Sequence, residues 1–272
     1  VTEAQPVCSL LGVPYDRHSS YLRGSAKAPA SVRRALHGGS ANYTTELGVD
    51  VNPVRWAERG DLDLPDDVEQ ALPLITSAAS AATADGGRLV SIGGDHLVTW
   101  PLVRGVAANL SGLTIVHFDA HPDLYDHLDG DHHSHACPFA RIMEERLAQR
   151  LVQIGIRTMT AHQRDQADRF GVEVHELRTW NGRLPEDLSG PAYVTIDVDA
   201  LDPANAPGVS HHEPGGMTTR QLIDCLHQLA GMPSVQVVAA DVVEINPDRD
   251  INDMTAMVGA KLVRELLGLM AG

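Results

Sequence analysis

The sequence predicts an α/β protein with a largely parallel sheet covered on both faces. Three observations predict it: short apolar runs recur along the 272 residues, helical patterns separate most of them, and polar clusters follow the runs. Taken in order, Pro6 to Val13 reads as a buried strand, and a short helix is expected from Ala28-Pro29. Asp66 to Ala84, rich in Ala and Leu behind Pro65, reads as a helix. Arg88 to Ile92 and Leu113 to Phe118 read as strands, Pro138 to Gln149 as a helix, and Leu151 to Ile156, Val172 to Leu177 and Ala192 to Val198 as further strands. Thr218 and Gln221 form a capping-box pattern that opens a helix to Leu229, closed by Gly231. A strand from Val235 to Ile245 and a last helix from Asn252 to Leu269 complete the set. Leu124 to Cys137 and Asp202 to Gly216 are long and irregular, as binding loops are.

With 43% hydrophobic residues and no repeat or linker, the expectation is one domain over 1–272. A net charge of −15 argues against nucleic acid or an anionic membrane as partner and suits a cationic ligand. Cys8, Cys137 and Cys225 are too scattered for a disulfide framework or a cysteine zinc motif. There is no bilayer-length apolar run and no basic start followed by an apolar stretch, so a soluble, cytoplasmic protein is expected.

The chemistry gathers in three places. Asp119, His121 and Asp123 alternate after one strand, and Asp197 and Asp199 alternate after another. In an extended chain such residues share a face and offer their donors to one spot. Gly93-Gly94-Asp95-His96 follows a third strand, where two glycines allow a sharp turn and His96 projects from the strand end. His96, Asp119, His121, Asp123, Asp197 and Asp199 together supply two imidazoles and four carboxylates, too many for one structural ion. Such a set suits two divalent cations with shared carboxylates, and its oxygen-rich character favours Mn²⁺ over Zn²⁺. Two ions about 3.5–4 Å apart would activate a water for hydrolysis near neutral pH. Asp95 is expected to support His96 or cap the following helix, and Cys137 to pack rather than react. His211 and His212, being adjacent, are expected to face opposite ways rather than form another metal site.

Gly93-Gly94-Asp95-His96, Asp119 to Asp123, and Asp197 to Pro203 resemble the three metal motifs of the ureohydrolases, the group that includes arginase, agmatinase and guanidinobutyrase. The resemblance runs from Gly12 to Pro247 with the elements in the family's order. It implies an arginase-like three-layer α/β/α sandwich around a mostly parallel sheet, and hydrolysis of a guanidino group to urea and an amine. It further implies one Mn²⁺ on His96, Asp119, Asp123 and Asp197 and another on Asp119, His121, Asp197 and Asp199, with Asp119 and Asp197 bridging. Four carboxylates, two dications and a hydroxide leave the cluster at about −1, which attracts a cationic guanidinium. Glu244 is similar to the family's guanidinium-gripping carboxylate, and His135 to its proton-shuttling histidine, with His127, His132 and His133 crowding the same loop. The segment Ser19 to Gly24 corresponds to the part of the family that walls the pocket mouth. Trimers or hexamers are likewise implied.

For the substrate, Asp126, Asp129 and Asp131 would suit a second positive charge and favour agmatine. The second loop departs from that pattern: Ser210-His211-His212 stands where agmatinases commonly have Gly-Thr-Pro before Glu213-Pro214-Gly215-Gly216. The expectation is therefore an agmatinase-like dinuclear manganese hydrolase. Arginase, guanidinobutyrase, guanidine hydrolase and formimidoylglutamase are the alternatives. A single-zinc amide hydrolase like the deacetylases and a non-catalytic binding protein are the more remote ones.

Overall fold

The computed structural model of the chain describes residues 8–271, so Pro6 and Val7 of the first expected strand lie outside the described residues. Eight strands form one sheet: β1 (Cys8–Gly12), β2 (Trp56–Asp61), β3 (Arg88–Ile92), β4 (Thr114–Phe118), β5 (Arg150–Ile156), β6 (Glu173–Glu176), β7 (Gly190–Asp197) and β8 (Val235–Val243). Seven α-helices accompany them: α1 (Ala28–Leu36), α2 (Val68–Thr83), α3 (Thr99–Ala107), α4 (Pro138–Glu144), α5 (Ala161–Phe170), α6 (Thr219–Ala230) and α7 (Met254–Met270). The strand order is β2-β1-β3-β8-β7-β4-β5-β6, and every pairing is parallel.

Two apolar cores flank the sheet. One joins Val32 and Leu36 of α1, Leu222 and Leu226 of α6, and Leu262 and Leu266 of α7 to one face. The other packs Leu72 and Ile75 of α2, Leu102 and Val106 of α3, Phe139 and Ile142 of α4, and Ala167 of α5 on the opposite face. This is the three-layer α/β/α arrangement expected of the sequence. The alternating strand and helix units leave no other way to cover a sheet whose central strands are apolar on both sides.

The capping box of Thr218 and Gln221 is formed, and Asp67 caps α2. Where the structure departs from the sequence reading, the causes are local. The expected helix from Pro138 to Gln149 stops at Glu144, and Arg146 takes a left-handed backbone at φ +56° that no α-helix accommodates. Among the described residues strand β2 pairs only with β1, and Trp56 is its one buried residue, so it lacks an apolar run. Helix α3 is buried almost throughout and shows no polar face, whereas α5 is polar and is held by a second capping box between Thr160 and Gln163. No helix of the described residues is long and apolar enough to cross a membrane.

The topology fixes where chemistry can sit. The chain builds β1 to β3 on one half of the sheet and β4 to β7 on the other, then inserts β8 between β3 and β7. The C-terminal ends of β3, β8, β7 and β4 thus stand side by side where the winding direction changes, the usual crevice of open parallel sheets.

Gly94 ties this edge together. Its carbonyl accepts from Glu244 N at 2.8 Å, and Asp95 N donates to Tyr15 O at 2.9 Å. A Cβ on Gly94 would collide with the backbone of Tyr15, whereas one on Gly39 meets nothing within 4 Å. Gly94→Ala is expected to destabilise the metal-free protein by about 1–3 kcal/mol. Urea denaturation checks this, with Gly39→Ala as the substitution expected to leave the midpoint in place.

Candidate metal centre

All six sequence-predicted donors meet at this edge. The strands do not carry the alternation as far as the sequence suggests, because β4 ends at Phe118 and β7 at Asp197. The donors beyond converge through turns. Asp197 Oδ1 accepts from Asp199 N at 2.8 Å, Asp119 Oδ1 accepts from His121 N at 2.6 Å, and Asp199 Oδ1 accepts from Ala120 N at 3.2 Å. Asp123 turns its backbone to φ +47°, a costly conformation for a residue with a side chain.

The donor atoms form two groups, each of which could hold a metal ion: His96 with Asp119, Asp123 and Asp197, and Asp119 with His121 and Asp199. His96 Nδ1 lies 3.2 Å from Asp119 Oδ2, 3.1 Å from Asp123 Oδ2 and 3.3 Å from Asp197 Oδ2. It makes no well-formed hydrogen bond with any of them. His121 Nδ1 lies 3.4 Å from Asp119 Oδ1 and 3.1 Å from Asp199 Oδ2. Asp119 serves both groups.

Electrostatics at the centre favour cations. Burial, with Asp199 and Asp119 alongside, pushes the Asp197 carboxyl well above the ordinary carboxylate range, and burial also lifts Asp199 to about 6. Burial works against charge on both histidines, yet neighbouring carboxylates raise His121 to about 12 and hold His96 well above its usual value. Carboxylates crowded around His96 Nδ1 and His121 Nδ1 make a set that could hold cations, and its oxygen-rich character fits a hard divalent ion.

Beside the donors, Glu244 Oε1 lies 2.7 Å from His135 Nδ1 and accepts from His96 N at 3.0 Å, while Oε2 has no hydrogen-bond partner among the described residues. Glu244 also has a left-handed backbone, at φ +64°. His135 Nε2 lies 2.8 Å from Ser20 Oγ. Burial opposes charge on His135, but Glu244 raises its pKa to about 9. Of the histidines in its loop, His135 alone lines the cavity; His127 and His132 are exposed, and His133 stacks on Trp100.

The cavity, about 190 Å³, is lined by His121, Asp123, Asp197, Asp199, His135 and Glu244. Ser20, Tyr125, Thr158, Thr160, Gln163 and His211 also line it. Ser20 belongs to the segment expected at the mouth. Asp95 caps the turn after it through Leu97 N and accepts from His18 N and Ser19 Oγ. Cys137 is buried, with its thiol pushed up to about 12 by burial. His211 and His212 do face different ways: His211 borders the cavity, and His212 Nε2 contacts Pro207 O at 2.7 Å.

Sequence reading missed His117 and Gln153 beneath the donors and His211 as a lining group. His117 carried a signal, because it stands two residues before Asp119 and extends the same alternation backward along β4.

Comparison with known proteins agrees with this geometry. The family model for the arginase family matches residues 7–268. The mitochondrial arginase of Medicago truncatula is 46% identical over 281 residues, covering 97% of this chain and 82% of that protein. The agmatinase of Bacillus anthracis is 33% identical, covering 95% of this chain and 90% of that protein. The solved arginase structure from Medicago truncatula superposes with a TM-score of 0.88 at 43% identity, covering 97% of this chain and 87% of that one. One expectation is overturned: plant arginases at 43–46% identity carry mitochondrial or chloroplastic/mitochondrial names, which stand against the cytoplasmic placement. With its family model, its relatives and its donor cluster in agreement, the chain belongs to the arginase family, metal-dependent hydrolases that act on guanidino compounds.

Proposed function

We propose that the chain, as one catalytic domain, hydrolyses L-arginine to urea and ornithine at two Mn²⁺ ions. His96, Asp119, Asp123 and Asp197 would hold one ion, and Asp119, His121, Asp197 and Asp199 the other. When bound, the ions supply Lewis acidity and lower the pKa of water towards neutrality. The protein supplies the rest. Glu244 Oε2, left without a partner, is suited to accept N–H groups of the guanidinium and orient its carbon. His135, its Nδ1 2.7 Å from Glu244 Oε1, is suited to carry a proton to the leaving amine. A trimeric or hexameric assembly belongs to the same reading.

The observation that carries arginine over agmatine is the distribution of charge around the cavity. The acids expected to hold a second positive charge are engaged elsewhere: Asp126 pairs with Arg141 at 3.1 Å and Asp131 with His18 at 2.6 Å, and neither they nor Asp129 line the cavity. Every lining carboxylate belongs to the donor cluster or to Glu244. Ser20, Tyr125, Thr158, Thr160, Gln163 and His211 instead offer hydroxyl, amide and imidazole groups, able to donate to an α-carboxylate that agmatine lacks. The higher identity to a plant arginase than to an agmatinase supports the same choice.

Urea release by Mn²⁺-loaded protein tests this. The expected result is a kcat/KM for arginine exceeding that for agmatine by about tenfold or more, with Asp119→Ala abolishing both activities. Preference for agmatine would contradict the substrate reading, and full turnover by Asp119→Ala would contradict the metal reading.

The His135–Glu244 pair sets a pH signature in the metal-free protein. A histidine raised from 6.5 to about 9 contributes stability that is complete below about pH 6.5 and disappears as pH rises through about 9. Glu244, lowered by His135 despite burial, loses its share as pH falls below the ordinary glutamate range. His135→Asn is expected to lower the thermal midpoint most near about pH 6 and least above about pH 9. Scanning calorimetry across that range reads the difference.

A further inference from the structure

His117 lies under the donor cluster, fully buried on β4 two residues before Asp119. Its Nε2 is 2.8 Å from Asp119 Oδ2, and its Nδ1 is 3.1 Å from Gln153 Nε2. Gln153 is fully buried on β5, directly in register with His117. The same amide nitrogen donates to Pro122 O at 2.6 Å. A carbonyl oxygen only accepts, so the Gln153 group facing it is the NH₂, and the amide orientation follows. His117 Nδ1 then faces a donor and must be the bare nitrogen. The ring proton sits on Nε2 and is donated to Asp119 Oδ2. Phe139 stacks on the ring with centroids 4.0 Å apart and holds its plane.

We propose that His117, with its tautomer set by Gln153, is the positioning residue for Asp119. It presents an N–H to one carboxylate oxygen while the backbone N–H of His121 binds the other at 2.6 Å. Asp119 serves both donor groups, and in the two-ion reading it bridges the ions together with Asp197, so anchoring both of its oxygens fixes which of them faces which ion. The proposal rests on the two-ion reading above and adds residues to it. It also decides against His117 as a ligand, although its nitrogen lies close enough to His96 and Asp119 to join them at one ion. A neutral imidazole that binds metal through Nε2 carries its proton on Nδ1, and Gln153 offers Nδ1 a donor where such a proton would need an acceptor.

Equilibrium Mn²⁺ binding tests the proposal, with free Mn²⁺ read by electron paramagnetic resonance and folding checked by circular dichroism. His117→Phe keeps the ring and its stacking but loses the N–H. Its apparent affinity is expected to fall by about 10- to 100-fold, while His117→Gln, which can place an amide N–H near the same point, recovers most of the loss. Gln153→Glu gives Nδ1 an acceptor and draws the proton away from Asp119, so affinity is expected to fall again. Tighter Mn²⁺ binding by Gln153→Glu would make His117 a ligand and overturn the proposal. Affinity within twofold of wild type in folded His117→Phe or Gln153→Glu would overturn it as well. Should His117→Phe fail to fold, Gln153→Glu decides. Lack of urea release by the wild-type protein would sink the arginine reading without altering this affinity series.

Discussion

Four aspartates, Asp119, Asp123, Asp197 and Asp199, are buried together at one edge of the sheet, and the rest of the structure depends on resolving their mutual repulsion. Like charges about 4 Å apart at an effective dielectric constant of about 20 repel by about 4 kcal/mol per pair, before the cost of removing each from water. Protonation is the ordinary escape, and Asp197, pushed upward by burial, Asp199 and Asp119, and Asp199, pushed upward by burial and Asp119, show its direction. Divalent cations are the other escape, and they turn the same repulsion into affinity. His96 Nδ1 lies within 3.3 Å of Asp119, Asp123 and Asp197, and His121 Nδ1 within 3.4 Å of Asp119 and Asp199, so the imidazoles stand in two groups that could each hold a cation and that meet at Asp119.

The fold serves this edge. Insertion of β8 between β3 and β7 brings four strand ends together, and each delivers part of the centre: His96 after β3, Asp119 to Asp123 after β4, Asp197 and Asp199 at β7, and Glu244 after β8. Asp123 and Glu244 hold left-handed backbones there, a local strain that the paired strands behind them sustain. Beneath, Thr195 lies 3.1 Å from His96 Nε2, so that ring too is fixed from its far side. Strand ends thus set the six donors and Glu244, and the loops Leu124 to Cys137 and Asp202 to Gly216 shape the cavity and bring His135 to it. Tyr125, His135 and His211 come from those loops.

Much of this was legible in the sequence because the signals were strong and short-ranged. Arg88 to Ile92 is a strand within the very limits that its apolar run marks, and the capping box at Thr218 forms as its residues require. Five donors were legible through alternation and His96 through Gly93-Gly94-Asp95-His96, although turns beyond the strand ends do the converging. Strand β2 was not legible, since an edge strand with one buried residue has no apolar pattern to show. The acids at Asp126 and Asp131 misled for a different reason: sequence shows charge but not its partner, and Arg141 and His18 take them away from the cavity. His117 was overlooked within the apolar run Leu113 to Phe118, where a buried polar side chain on a strand leading to ligands carries information about the site.

The most direct test of the account is a crystal of the Mn²⁺-loaded protein with anomalous diffraction measured at the manganese edge. The account predicts two peaks per chain, about 3.5–4 Å apart, one against His96, Asp119, Asp123 and Asp197 and the other against Asp119, His121, Asp197 and Asp199. A single peak, or peaks removed from these side chains, would contradict it.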